Sequence, residues 1–355
     1  MKEIEEFLLN FTSKGTIKCY KTALKHFFNT IKVKPENYFK KKRNYENDVI
    51  TYWKKLQEKA PKTRKTRMSV IRVFLEENNV LIPNKTWKKL SKRSKGKRAI
   101  TIDKIPTHKE LRQILQHGDI MSRAITLIAC SSGMRIGEIL SLIPNDIDFK
   151  SNPTKINIRG EITKSGDPRI TFISNEATEV LKEWFKVRDE WFKVAIEKTR
   201  GVNKKNPDDK RIFPIDYSSY DRKWMRLLKK SGLNERDMSS KYHVFHFHTI
   251  RKFFETRMSY SGVPEAIYQQ LEGHEGYLNG AYKRYTEDEL RNYYLKGMNE
   301  LLIFETTPDL TNINKQLDEK DKQIQELLEF KKLMELKIQG LENKLEIEKI
   351  KNGKK

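Results

Sequence analysis

The chain has 355 residues, long for a single hydrophobic core, so two compact domains and an appendage are expected. Hydrophobic residues at 37% and charged residues at 34% imply extended, solvated segments beside the packed ones. With 72 Lys+Arg against 48 Asp+Glu, the net charge of +24 sets up a field that attracts polyanions, and nucleic acid is the partner it implies. The two cysteines, Cys19 and Cys130, can close at most one disulfide. Both lie in apolar stretches where a cysteine serves as a small buried hydrophobe, which excludes a disulfide scaffold and points to a reducing compartment. The acidic N-terminus runs into a helical pattern rather than a secretory apolar run, and no apolar stretch is long enough to span a bilayer; a cytoplasmic protein with no membrane partner is expected.

In chain order, Thr16 after Gly15 reads as the N-cap of a helix with the apolar face Tyr20, Leu24, Phe27, Phe28 and Ile31. Val49, Trp53 and Leu56 mark a second face that ends near Pro61. A third helix turns Met68, Ile71, Phe74 and Leu75 inward and leaves Lys62, Arg64, Lys65, Arg67 and Arg72 to water or phosphate. From Asn84 to Arg98 lysine and arginine dominate with no apolar period, which reads as a linker or arm able to touch phosphate.

A new domain opens at Thr107-His108-Lys109-Glu110, a capping box before Leu111, Ile114 and Leu115. A helix through Ile125, Leu127, Ile128 and Cys130 follows. Residues 155–159 and 169–173 alternate with period two around Ser165-Gly166-Asp167-Pro168, the pattern of a β-hairpin or small antiparallel sheet. Helices resume at Ala177–Lys193, Tyr220–Lys230, His248–Ser261, Pro264–Glu272 and Asn279–Leu302, with a basic loop from Arg200 to Lys210. After Pro308, a heptad seam runs through Leu310, Ile313, Leu317, Ile324, Leu327, Met334, Ile338, Leu341 and Leu345, broken by Lys320, Lys331 and Glu348. That is a coiled-coil pattern, which favours self-association or a partner helix. The expected organisation is therefore a helical domain over 1–83, a basic linker over 84–103, a second domain over 104–307 and a coiled-coil tail over 308–355.

The residues that carry chemistry are the block Ser132-Gly133-Met134-Arg135-Ile136-Gly137-Glu138, then His248-Thr249-Ile250-Arg251, then Gly273-His274, then Tyr282. Guanidinium suits a phosphodiester because its planar fork bonds two oxygens and stays charged at working pH. Arg135 enters a helix where Glu138, one turn on, can orient it, and His248 and Arg251 share one helical face. Gly273 ends a helix and lets His274 approach a ligand closely. Lys164, beside the hairpin turn, can carry a proton to a leaving oxygen. A phenol attacking phosphate leaves a covalent phosphotyrosine that conserves the bond energy for rejoining without ATP. His243, His246 and His248 invite a zinc reading, but no cysteine lies near them, so no metal and no cofactor are expected.

In this order the blocks resemble the tyrosine recombinases, the phage-integrase and Xer-like family, over most of the chain. The family's Gly-x-Arg-x-x-Glu is matched by Gly133, Arg135 and Glu138; its His-x-x-Arg by His248 and Arg251; its Leu-x-Gly-His by Leu271, Gly273 and His274. The resemblance implies Arg135, Lys164, His248, Arg251, His274 and Tyr282 as catalytic residues, with Glu138 in support. Lys164 corresponds to the lysine that the family carries on a β-hairpin, and His274 to its phosphate-binding histidine. Where the family often places a second histidine after the second arginine, this chain has Lys252. Of the tyrosines after His274, Tyr282 lies nearest the family's usual distance, and Tyr285, on the same helical face, is the rival nucleophile.

The implied fold is mainly α with a small antiparallel sheet: an N-terminal helical bundle that binds DNA, a mixed α/β catalytic domain and the coiled-coil helix. The implied activity is metal-independent cutting and rejoining of double-stranded DNA through a 3′-phosphotyrosine, in the integration or excision of a mobile element, with a tetramer in synapsis. A type IB topoisomerase and a catalytically silent DNA-binding protein are the alternatives.

Overall fold

The computed structural model describes residues 2–40, 42–94, 103–199, 205–238, 243–274 and 285–304, with Leu327, Lys331 and Met334. They fall into two compact units, Met1–Asp103 with Glu235–Val244, and Lys104–Asn234 with Phe245 onward. Among the described residues, no helix is long and apolar enough to cross a membrane.

The first unit is helical: α1 Lys2–Leu9, α2 Lys14–Ile31, α3 Tyr45–Lys55, α4 Pro61–Glu77 and α5 Asn84–Arg93. Its core is aromatic. Phe7, Phe27, Phe28, Tyr38, Tyr52 and Phe74 are buried, and they meet mostly edge to face, as ring quadrupoles prefer. Several expectations shift here. The cap of α2 is Ser13, whose hydroxyl accepts from Thr16 N–H, so the helix begins before Gly15. On α3 the buried residues include Val49 and Tyr52, with Leu56 just beyond its end, while Trp53 is half-buried and gives its indole N–H to Ser94. Arg64 is 8% exposed rather than solvated, with Nη1 directed at Gln57 O. Cys19 is exposed, not buried; Cys130 is buried as expected.

The stretch from Asn84 also differs. Residues 84–93 are helical because Trp87 and Leu90, three apart, reach the aromatic core while the lysines between them stay in water. Two apolar residues among so many charges left too faint a period to read.

The second unit is built on α7 Ile120–Ser132, whose residues from Ala124 to Ser132 are buried without exception. A helix buried all round shows little amphipathic period, and α7 is the spine that the other elements cover. α6 His108–Gln116 precedes it with the expected Thr107–Glu110 capping box. The one-turn helix α8 Ile136–Ile139 follows it. A three-stranded antiparallel sheet comes next, in the order β1 Ile147–Asp148, β2 Thr154–Ile158, β3 Arg169–Ile173. The β2/β3 register pairs Ile156 with Thr171 and Ile158 with Arg169. The two-residue β1 was too short to carry an alternation.

α9 Asn175–Lys198, α10 Tyr217–Lys230, α11 His248–Tyr260, α12 Glu265–Glu272 and α13 Glu287–Met298 complete the unit. They match the expected helices to within a few residues, except that the last starts later among the described residues. The fold is thus mainly α-helical with a small antiparallel sheet, as the pattern predicts. The expected coiled-coil tail and Tyr282 lie outside the described residues, apart from three seam positions: Leu327, Lys331 and Met334 are helical and exposed.

Candidate active site

The C-terminal end of α7 organises the site. A helix leaves its last carbonyls without intrahelical donors, and here side chains from three other elements supply them. The Tyr294 hydroxyl of α13 donates to Ser131 O at 2.8 Å, the Thr171 hydroxyl of β3 to Ser132 O at 3.2 Å, and Arg251 Nη1 of α11 to Gly133 O at 2.6 Å. Gly133 closes the helix in the left-handed conformation, φ +63. A Cβ there would lie 2.5 Å from Phe254 and 2.9 Å from Glu272, so glycine is needed both for the turn and for the close approach.

Two residues on, Arg135 is the N-cap of α8. Glu138 accepts from its backbone N–H at 3.0 Å and from its Nη1 at 3.2 Å. Glu138 is 2% exposed and also receives Arg169 bidentately, at 3.2 and 2.6 Å. Burial alone would raise the Glu138 carboxyl; the hydrogen bond and charge of Arg169, with Arg135, outweigh it and hold the group below the usual carboxylate range. Glu138 therefore stays ionised and fixes two guanidiniums side by side, leaving Arg135 30% exposed.

Arg251 is almost wholly buried. Besides Gly133 O, it donates from Nη2 to Glu272 O at 2.7 Å, and the Glu272 carboxylate lies 3.5 Å away. Burial lowers it to about 10, which still leaves it charged at neutral pH. Its Nε is buried with no hydrogen-bond partner among the described residues. Gly273, left-handed at φ +69, ends α12. Its carbonyl lies 3.5 Å from Arg135 Nη2, and its bare Cα faces the Arg169 guanidinium, which a Cβ would meet at 2.9 Å. His274 follows, half-exposed, its Nδ1 3.5 Å from Glu272. Burial and the charges of Arg251, Arg135, His248 and Arg169 hold the imidazole down at about 4, so it is neutral at pH 7.

The structure thus brings Arg135, Glu138, Arg251 and His274 into one contact network, from segments more than a hundred residues apart. His248 opens α11 one turn before Arg251 and is exposed. Lys164 is exposed on the loop between β2 and β3, after the short turn Gly160–Ile162, and no hydrogen bond or ion pair among the described residues joins it to the network. Tyr285 is half-buried just before α13. Tyr294 is fully buried and committed to Ser131 O.

Sequence reasoning missed two members. Arg169 read only as the first residue of a strand, yet it is the third guanidinium of the cluster and also donates to Leu271 O at 3.1 Å. Glu272 went unnoticed, although Ile267, Leu271 and Tyr268, Glu272 form two i,i+4 pairs that place it on the buried face of α12. Three guanidiniums, one ionised carboxylate beneath them and two histidines make a site with surplus positive charge. That is a surface able to hold an anionic ester oxygen without a metal.

Fold and cluster together suit phosphodiester chemistry. Residues 104–289 match the Phage integrase family, more than half of the chain, and the chain belongs to that family. It is 27% identical to the tyrosine recombinase XerA of Saccharolobus solfataricus over 311 residues, 83% of this chain and 91% of that protein. Among solved structures, it resembles a lambda integrase tetramer bound to a Holliday junction, at 14% identity and a TM-score of 0.55, covering 80% of this chain and 78% of that one. It also resembles the Tn1549 transposon integrase in complex with transposon right end DNA, at 15% identity and a TM-score of 0.53, covering 82% and 96%. At such identities these structures speak for the fold alone. The protein is a tyrosine recombinase, an enzyme of site-specific DNA recombination through a phosphotyrosine intermediate.

Proposed function

We propose that Arg135 and Arg251 grip the non-bridging oxygens of the scissile phosphate, with His248 and His274 adding hydrogen bonds, while Tyr282 attacks phosphorus. The phenol releases its proton to solvent and its oxygen forms a bond to phosphorus as the bond to the 5′ oxygen breaks. The product is a 3′-phosphotyrosine, and Lys164 delivers the proton the leaving alkoxide needs. Attack by a 5′-hydroxyl of another strand reverses these steps and rejoins the DNA, so neither ATP nor a metal enters the balance. Glu138 supports Arg135 from beneath. The observation that carries this reading is the convergence of Arg135, Arg251 and His274 on the end of α7, held there by carbonyls and carboxylates that leave donors free for an anion.

In this reading the helical first unit, with α5 packed on its core, is the DNA-binding bundle and residues 104–307 are the catalytic domain, together engaging double-stranded DNA in the cytoplasm. The net charge of +24 supports that partner and a strong salt dependence of binding. The biological task is integration or excision of a mobile element, with a tetramer in synapsis. The tail over 308–355 contributes self-association, supported by its heptad seam and by the exposure of Leu327 and Met334.

The test is covalent trapping on a nicked suicide duplex. Wild-type protein and Tyr285→Phe form the adduct at the 3′ phosphate, whereas Tyr282→Phe binds DNA but forms none. An adduct from Tyr282→Phe together with its loss in Tyr285→Phe would move the nucleophile to Tyr285. No adduct from the wild type on any duplex carrying its own target site would overturn the reading.

A further inference from the structure

The least expected group in the second unit is the Glu272 side chain. It is 0% exposed, and neither carboxyl oxygen has a hydrogen-bond partner among the described residues. A buried carboxylate left without hydrogen bonds is costly, and a group in that position tends to hold a proton or wait for one to be exchanged. Arg251 Nη2 and His274 Nδ1 each lie 3.5 Å from Oε2, and both belong to the phosphate grip proposed above. The space it occupies exists because Gly133 has no side chain.

We propose that Glu272 is a positioning residue that holds the proton of a Glu272–His274 pair in the free enzyme and passes it to His274 Nδ1 when a DNA phosphate arrives. The proposal rests on the reading of His274 as a phosphate ligand. In the free state the protonated carboxyl faces Nδ1 across 3.5 Å, and a small closing shift lets its O–H donate there, which fixes the neutral imidazole with its proton on Nε2, available to a phosphate oxygen. When the anion binds, the proton crosses from Oε2 to Nδ1. The imidazole becomes a cation donating from Nε2 to the phosphate, and the new carboxylate faces Arg251. No charge enters or leaves the pair, and no other reactant is needed.

The surroundings favour this placement of the proton. On α11, Arg251 favours an ionised carboxyl and Glu255 opposes it; Arg135 at the start of α8 and Arg169 on β3 favour ionisation. Burial dominates all of these and pushes Glu272 up to about 8, while His274 is held at about 4. Among the described residues α12 also packs on α13, whose Tyr294 phenol is turned toward Ser131. An imidazolium amid three guanidiniums is unfavourable until a phosphate joins them; afterwards it is favoured. The device spares the empty site an extra positive charge and supplies that charge where the transition state needs it.

The proposal is tested on the full-length protein by two readouts. In DNA-free protein labelled with ¹⁵N-histidine, His274 is assigned by its loss in His274→Gln. Its nitrogen shifts should report the Nε2–H tautomer at pH 7 and the Nδ1–H tautomer above pH 9, with a midpoint near 8 that is absent in Glu272→Gln. In single-turnover adduct formation, the ratio of wild-type to Glu272→Gln rates should be level below pH 7 and fall about tenfold from pH 8 to pH 9, the response to loss of one proton. Ordinary imidazole titration near 6.5 with no tautomer change, or a rate ratio independent of pH, overturns the proposal. The spectra of the wild type decide the first point even if Glu272→Gln fails to fold. Wild-type protein that shows the tautomer change yet forms no adduct would refute the phosphate reading instead.

Discussion

Replacing Gly133 with alanine tests the packing argument at its tightest point. Two costs apply. The residue sits at φ +63, where an L side chain is strained by about 1 kcal/mol or more. The added methyl would also lie 2.5 Å from Phe254 Cδ1 and 2.9 Å from Glu272 Cγ and Oε1. Phe254 is fully buried and cannot swing aside, so overpacking of this kind adds about 1–3 kcal/mol. The sum, about 3 kcal/mol, corresponds to a drop of roughly 6–12 °C in the melting temperature of a unit this size. Calorimetry of full-length Gly133→Ala should show that loss in the transition of the second unit. Adduct formation below the melting range should fall further than binding, because Gly133 O is the acceptor that orients Arg251 at 2.6 Å. Gly137→Ala is the internal control. A Cβ there meets nothing within 4 Å and the residue is helical, so the change should be neutral or stabilising by under about 1 kcal/mol. A Gly133→Ala protein as stable and as active as the Gly137→Ala protein would refute the reasoning.

Three further outcomes are expected. Glu272 binds its proton more tightly folded, at about 8, than its ordinary value of 4.5. Its stabilising contribution is therefore full below pH 4.5 and lost as pH rises through 8. His274, held low but half-exposed and therefore partly screened, opposes that slope below its ordinary 6.5, so stability falls most clearly as pH rises from 6.5 through 8. Urea unfolding of the wild type should show the loss, and Glu272→Leu should show a flatter curve in that window. For Lys164→Ala, a substrate with a 5′-phosphorothiolate should restore cleavage, because sulfur leaves without an acid; absence of rescue removes Lys164 from the proton-donor role. Truncation after Pro308 should weaken self-association in light scattering while sparing single-site cleavage, and equal monomeric mass for both proteins, with and without DNA, would exclude the tail from that role.

Much of the second unit was legible because local pattern and final structure agree there. The Thr107–Glu110 capping box, the alternation on either side of the turn at Gly166, and the helical faces of α10 to α12 each record an interaction within a few residues. The blocks around Arg135, Arg251 and His274 were equally visible, since glycines at helix ends and arginines at fixed offsets are local features. Reading failed where one element's surroundings come from another. The α5 segment is helical because two apolar residues reach a core assembled by α1 to α4, and Arg64 is buried by neighbours its own sequence does not announce.

The site divides in the same way. Sequence alone picked out the arginines and histidines of the cluster and their order along the chain. Only the tertiary structure decided that Arg169 joins them, because its Glu138 partner lies 31 residues away on another element, and that Glu272 sits beneath His274 without hydrogen bonds. An arginine beside a turn and a glutamate before a glycine look solvated in a linear chain. Folding around the end of α7 removes water from both, and the resulting dielectric and charge environment, rather than residue identity, sets where the proton resides.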